Sequence, residues 1–175
     1  MPGSNVYLFQ YGSNMSTKRL NSTNRLEGCA KPIGKARLDG WGIRFDLYSE
    51  SNDCAVTDII RSHQEFVWGV LFLVPRELVI ARRGERSRMD VVEGAGLGSL
   101  SNYRRATIYV RRGKYLMQAE TYLGTSEARR RFEALQPNAQ RVSREYFGYV
   151  AVGCKSHKLP KSYLAKIKKQ AGRLK

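Results

Sequence analysis

A carboxylate that ends an apolar triplet and is followed at once by glycines is the residue in this sequence best suited to acid–base chemistry. Glu93 closes Val91-Val92-Glu93 and leads into Gly94-Ala-Gly-Leu-Gly98. A carboxyl beside apolar neighbours loses hydration, which lifts its pKa above the usual value of about 4.3 and suits it to exchanging protons near neutrality. A solvated loop glutamate fits the same spacing, so residue order alone leaves both readings open. The second feature is the loop Tyr11-Gly-Ser-Asn-Met15, directly after the apolar β-type run Val6 to Phe9. Such a loop offers consecutive backbone N–H groups that no ladder consumes, able to cradle a carboxylate or a developing oxyanion; a plain turn has the same composition.

Other residue types capable of chemistry lack partners at the required spacing. Ser13 has no Gly-x-Ser-x-Gly elbow and no histidine placed to activate it. His63 and His157 are far apart and belong to no ligand-spaced cluster, so no metal site is expected. Cys54 borders an apolar strand, where a cysteine is a small buried hydrophobe. Cys29, Cys54 and Cys154 are odd in number with no Cys-x-x-Cys pair, which points to a reducing compartment rather than a disulfide framework.

These features must be carried by a mixed scaffold. Asp39-Gly40, flanked by Ala36–Leu38 and Trp41–Leu47, predicts a two-residue hairpin turn. Ala55 to Ile60 reads as a further strand, and Phe66 to Val74 is apolar enough to be a central one. Arg76 to Glu93 permits two short helical turns around Gly84, and Tyr103–Val110 and Tyr115–Tyr122 form a hairpin at Arg112-Gly113-Lys114. Ser16 caps a short helix through Leu20, Thr125 or Ser126 caps a helix ending before Pro137, and Ser143 caps another whose Tyr146, Phe147, Val150 and Cys154 share one face. Pro160 opens a last helix, about 159–175, with an apolar stripe of Tyr163, Ile167 and Leu174. Six or seven strands followed by helices define an α+β class, and no repeat or low-complexity linker divides residues 1–175.

Length and charge narrow the classes further. A chain of 175 residues buries roughly 70% of its unfolded surface, enough for one core without staples. The longest apolar run, Phe66 to Val74, is far shorter than a membrane helix requires, and Met1 to Gln10 has neither a basic start nor a long apolar stretch, so a cytoplasmic protein is expected. Lys+Arg number 31 against 15 Asp+Glu, a formal net charge of +16. Gly153 to Lys175 carries eight basic residues and no acid, and Arg129, Arg130 and Arg131 form a further cluster with Lys166, Lys168 and Lys169 available nearby in sequence to the tail. Such groups can attract a polyanion, yet no base-reading motif accompanies them, and solvated faces are the favoured explanation.

In combination the residues resemble the γ-glutamylcyclotransferase-like family. The likeness rests on Tyr7-Leu-Phe-Gln-Tyr-Gly-Ser-Asn-Met15, Trp41 to Phe45 with Ala55 to Ile60, Val67-Trp-Gly-Val70, Met89-Asp-Val-Val-Glu-Gly94 and Tyr103-Arg104, then Ser143-Arg-Glu-Tyr146, Gly153-Cys-Lys and Leu159-Pro-Lys-Ser-Tyr163. It implies a small mixed β-barrel with packed helices and a cofactor-free release of 5-oxoproline from a γ-glutamyl amino acid or γ-glutamylamine. By the same resemblance Glu93 is the catalytic acid–base, and Tyr11, Gly12, Ser13, Asn14, Met15 and Tyr146 bind the substrate. Asn14 stands where the glutathione-degrading branch has leucine, and Gly98-Ser-Leu-Ser-Asn-Tyr103 is longer than the family's usual Gly-x-Tyr, which reshapes the pocket rim. The alternative is a catalytically silent module of this fold that binds nucleic acid or another polyanion through its basic surface.

Overall fold

The computed structural model describes residues 4–175; residues 1–3 of the N-terminal segment read for a signal lie outside the described residues. Five strands, β1 (Asn5–Gln10), β2 (Lys31–Ser49), β3 (Cys54–Pro75), β4 (Tyr103–Arg112) and β5 (Tyr115–Gly124), close into a barrel in the order β1-β3-β2-β4-β5. The β1–β5 contact at Leu8 and Glu120 is parallel and the other pairings are antiparallel, so the barrel is mixed, as the resemblance implied. Closure leaves no free sheet edge to be protected. Around it lie α1 (Thr17–Leu20), α2 (Arg88–Val92), α3 (Ser126–Glu133), α4 (Arg144–Ser156) and α5 (Lys161–Ala171). Among the described residues no helix is long and apolar enough to cross a membrane.

The expected six or seven strands become five because two expected breaks are continuous. Asp39-Gly40 makes no hairpin: β2 runs through it, with Gly40 at φ +79 where the register jumps from Asp39↔Phe66 to Trp41↔Arg61. Both flanks of Gly40 pair with the same strand, so its left-handed backbone serves a bulge rather than a reversal. The reversal lies ten residues on. The Ser49 hydroxyl accepts from the Asn52 N–H at 3.3 Å, and Asp53 adopts φ 45 before β3 begins. Ala55–Ile60 and Phe66–Val74 are likewise two parts of the single strand β3.

The helices begin where their caps require. Ser16, Ser87, Thr125 and Ser143 each accept a first-turn N–H, and Ser87 forms a full capping box with Asp90. On α4, Tyr146, Phe147, Val150 and Cys154 are buried as their spacing predicts, and Gly153 lets Met15 pack against the helix backbone. The last helix is shorter than 159–175. It ends at Ala171, where Gly172 turns to φ 66, so Tyr163, Ile167 and Ala171 form the buried stripe and Leu174 packs on the core from the tail beyond. That tail is pinned, with the Lys175 N–H donating to Val142 O at 2.9 Å and the Arg144 N–H to Lys175 O at 3.1 Å.

A buried carboxylate joins β3 to β5 and α3. Asp58 is fully buried, and its Oδ1 accepts from the N–H of Ile59 at 2.7 Å and of Gly124 at 2.8 Å. Arg129 completes it, donating Nε at 2.8 Å and placing Nη2 2.6 Å from Oδ2. Position 124 must be glycine because a Cβ there would overlap the Asp58 carboxylate. Arg129, expected on a polyanion surface, is therefore held by an internal ion pair. Its Nε lies 3.8 Å from Asp46, whose carboxyl is pushed up to about 6 by burial first and by the negative charge of Asp58 second. A folded-state value above the unfolded one means that ionised Asp46 opposes folding above pH 6, and that the opposition fades as pH falls towards 4. Asp46→Asn is expected to stabilise the protein by about 1–3 kcal/mol at pH 7.5 and to give no gain near pH 4, checked by urea denaturation at the two pH values.

Candidate active site

The loop that follows β1 is drawn onto β3 at Thr57. Residues 13–15 form one 3-10 turn, closed by the Met15 N–H on Gly12 O at 3.0 Å. A Cβ at Gly12 would overlap the Thr57 hydroxyl and lie 3.2 Å from the Tyr146 hydroxyl. The backbone at Gly12 has φ -113, open to any residue, so close approach and not conformation requires glycine here. The N–H groups of Gly12, Ser13 and Asn14 find no protein acceptor among the described residues. Three consecutive unpaired donors at the mouth of a barrel make an anion cradle.

Thr57 also fixes the tyrosines. The Tyr146 hydroxyl lies 2.9 Å from Thr57 Oγ1 and accepts from the Thr57 N–H at 3.1 Å, while Tyr103 donates to the Thr57 carbonyl. Tyr11 donates to Tyr122 O at 2.6 Å. Burial raises the pKa of Tyr11, Tyr103 and Tyr146, with nearby carboxylates adding to it in each case, so all three stay neutral hydroxyls.

Glu93 reaches this wall from the far end of α2. The capping box at Ser87 fixes the start of that helix, and Asp90 within it accepts from Tyr122 Oη at 2.8 Å and pairs with Arg105 at 3.3 Å. One turn on, the Glu93 N–H donates to Met89 O at 3.0 Å and its side chain points back at the loop, where Asn14 Nδ2 donates to Oε1 at 2.9 Å. Glu93 keeps partial access to the cleft while protein surrounds it on its other sides. Desolvation raises its pKa, opposed by the Asn14 bond, the charge of Arg25 and a bond from Gln10. Because the Asn14 nitrogen must face the carboxylate, its amide oxygen faces away, and that buried oxygen has no donor. An acid–base group, an unpaired acceptor and an N–H cradle thus converge.

An inner pocket of about 30 Å³ between the 11–14 loop, Thr57 and the tyrosines opens at Glu93 into an outer cleft of about 720 Å³. Tyr11, Gly12, Ser13, Asn14, Glu93 and Tyr146 all line the inner pocket. Met15, the remaining expected binding residue, does not: it is fully buried against Gly153 and supports the loop from beneath. Gln10, Thr57, Tyr103 and Tyr122 line the pocket without having been singled out as site residues. Tyr103 had a signal, its place after the glycine-rich loop; Thr57 had none, since an apolar strand with one threonine is unremarked in sequence.

Neither the family models nor the curated proteins contain a match to this chain. Solved structures do. A gamma-glutamyl cyclotransferase is 20% identical over 98% of this chain and 94% of its own, with a TM-score of 0.71. An uncharacterized protein from Homo sapiens is 22% identical with the same coverages and a TM-score of 0.72. YkqA from Bacillus subtilis is 24% identical with a TM-score of 0.71; this chain spans 98% of its own length but 55% of that protein. The chain therefore has the γ-glutamylcyclotransferase-like fold. Gly12→Ala is expected to cost about 1–3 kcal/mol in stability, because the methyl overlaps the Thr57 hydroxyl and crowds that of Tyr146, and to lower ligand affinity at the loop; urea denaturation and ligand titration read the two effects.

Proposed function

We propose that the protein is a cyclotransferase that releases 5-oxoproline from a γ-glutamyl amide without a cofactor. The observation that carries this reading is Glu93, a carboxyl of raised pKa held by Asn14 beside three unpaired loop N–H groups. Ionised Glu93 takes a proton from the substrate's α-ammonium, whose remaining hydrogens suit the orphaned Asn14 oxygen. The freed amine attacks its own γ-carbonyl carbon, a carbon–nitrogen bond forms, and the carbonyl oxygen becomes an oxyanion facing the N–H groups of Gly12, Ser13 and Asn14. Collapse breaks the amide bond. Over the reaction two protons pass from the α-nitrogen to the departing nitrogen, with Glu93 as the carrier. Nucleophile and electrophile share one molecule, so a pocket that enforces the folded-back conformer supplies much of the rate. The tyrosine walls, fixed on Thr57 and Tyr122, are suited to that constraint.

The polyanion reading draws on a surface of which part is already engaged. Arg129 is paired with Asp58, Arg131 donates to the carbonyls of Ser99, Leu100 and Ser101, Arg130 pairs with Glu127, and Lys166 with Glu65. Lys168 and Lys169 form no ion pair among the described residues. A reducing, cytoplasmic setting suits the three cysteines, all of them free.

Assay of 5-oxoproline release from γ-glutamyl amino acids and γ-glutamylamines tests the reading. Glu93→Gln is expected to lower the rate by about 10²- to 10⁴-fold while the fold is retained; a folded wild-type protein that forms no 5-oxoproline from any of them would sink it. Activity requires the carboxylate, so the rate falls as pH drops through the raised Glu93 value. Asn14→Ala removes the bond that holds that value down and is expected to move the acid limb of the kcat/KM profile to higher pH.

A further inference from the structure

Apart from Val152 on α4, the large apolar side chains left exposed among the described residues gather in two places: the cleft rim at Val91, Leu97 and Leu100, and the outer face of the barrel. On that face Phe66 is 41%, Tyr109 59% and Leu116 62% exposed, and exposed Tyr115 stands at the hairpin tip beside it. Register lays the face out. β3, β2, β4 and β5 lie side by side, and the pairings of Trp68 with Arg37, Arg37 with Arg111 and Arg111 with Leu116 put one residue of each strand on a row. Two positions along each strand the same face carries Phe66, Asp39, Tyr109 and Gln118, while Leu38, Val67 and Val110 between them are buried in the core. The charges of the face do not balance. Arg37 and Arg111 are directly opposed, a like-charge contact that opposes pairing. One carboxylate serves both: Asp39 lies 2.7 Å from Arg37 Nε and 3.4 Å from Arg111 Nε. Lys35, two residues before Arg37, adds a third cation with its Nζ 5.8 Å from the centroid of the Trp68 ring, and the Arg37 guanidinium lies 5.0 Å from that of Phe66. The acids at the border are already engaged, Glu65 by Arg44 and Lys166 and Glu120 by Thr107 and Arg105.

We propose that this face of the barrel binds single-stranded nucleic acid, with bases stacked on Tyr109 and Phe66 and phosphates held by Arg37, Arg111 and Lys35. The proposal is independent of the cyclotransferase reading, since none of these residues lines either cavity. Whatever covers the face must answer two features at once. Excess positive charge calls for a polyanion, and exposed rings beside guanidinium groups call for flat π surfaces; an unpaired strand supplies both in every nucleotide. A duplex keeps its base faces stacked on one another, and an acidic peptide has none to offer. Phe66 and Tyr109 stand on strands separated by β2, about 10 Å apart at the usual strand spacing, so they receive separate bases rather than the two sides of one. Stacking and phosphate contact do not read base edges, which agrees with the lack of a base-reading motif in the sequence. A second copy of this chain is disfavoured, because two faces of the same sign would meet on molecules that each carry a net charge of +16.

Fluorescence anisotropy tests it, with the full chain titrated into labelled oligo(dT) and oligo(U) of about twelve nucleotides at near-physiological salt. Both are expected to bind in the micromolar range, and Tyr109→Ser and Phe66→Ser each to weaken binding by about 5- to 150-fold, the loss of one stacked base. Arg111→Gln is expected to weaken it and to reduce the slope of log K against log salt by about 0.7, one phosphate contact on a single strand. A duplex and a poly-glutamate of matched length are expected to bind about tenfold more weakly than oligo(dT) or worse. The substituted side chains are exposed, and a thermal melt matching wild type checks that each variant is folded. No binding by wild type, a duplex or poly-glutamate bound as tightly as oligo(dT), or binding unchanged in both ring variants overturns the proposal. So does a wild-type dimer that Tyr109→Ser converts to a monomer on size-exclusion chromatography, which would assign the face to a second copy. The Tyr109→Ser variant is expected to release 5-oxoproline at the wild-type rate, so the face and the cleft stand or fall separately.

Discussion

Thr57 is the point to which the wall of the inner pocket is referred. Its N–H and hydroxyl meet Tyr146 from α4, its carbonyl receives Tyr103 from β4, and its side chain occupies the space that a Cβ on Gly12 would need. A buried tyrosine hydroxyl without a partner costs about 1–3 kcal/mol, so each of these contacts holds its element in one place. The next residue, Asp58, ties the same strand to β5 and α3 through Gly124 and Arg129. Two consecutive polar residues in the otherwise apolar first part of β3, residues 54–60, thus fix the loop, two strands and two helices relative to one another. The site is rigid because its supports share β3, the strand that pairs with both β1 and β2.

Asp90 and Glu93, neighbouring carboxylates on one helix, differ in how fully their oxygens are satisfied. Asp90 accepts from the Ser87 N–H at 2.9 Å and from Tyr122 at 2.8 Å and sits beside Arg105, so every lone pair has a donor and its place is structural. Glu93, three residues on, has one strong donor in Asn14 and opens to the cleft. Burial without saturation lifts the Glu93 pKa. The short helix α2 therefore presents one acid as an anchor and the other to the cleft, and the anchor sets where the second stands.

The parts of this arrangement that were legible in sequence are local. The strand before Tyr11-Gly-Ser-Asn14, the caps at Ser16, Thr125 and Ser143, and the Gly113 hairpin are each declared by residues within a few positions. Asp39-Gly40 misled because a left-handed glycine satisfies a bulge as well as a turn, and only the partner strand distinguishes them. Met15 misled because its neighbours on the loop face the pocket while one side chain of a 3-10 turn must face the helix beneath. Asp58 and Arg129 are 71 residues apart, and in sequence Arg129 is one of three consecutive arginines indistinguishable from a surface patch. Long-range polar pairs leave no periodic trace, which is why the supports of the site were hidden while its candidate carboxylate was visible.

The net charge of +16 also reads differently once partners are known. Several of the arginines act as loop staples: Arg88 donates to the carbonyls of Thr23 and Arg25, Arg86 to those of Asp90 and Ala95, and Arg131 to the glycine-rich rim. A guanidinium fork can satisfy several carbonyls at once, a task that a lysine ammonium on a flexible stem performs with less order. The segments so held flank Glu93, where positive-φ glycines at 94, 96 and 98 leave little regular backbone bonding. Composition counts these residues as surface charge, but their forks replace the hydrogen bonds that a helix or strand would have supplied. Against that background Arg25 stands apart, since its backbone carbonyl receives Arg88 while its own guanidinium faces the cleft unpaired among the described residues.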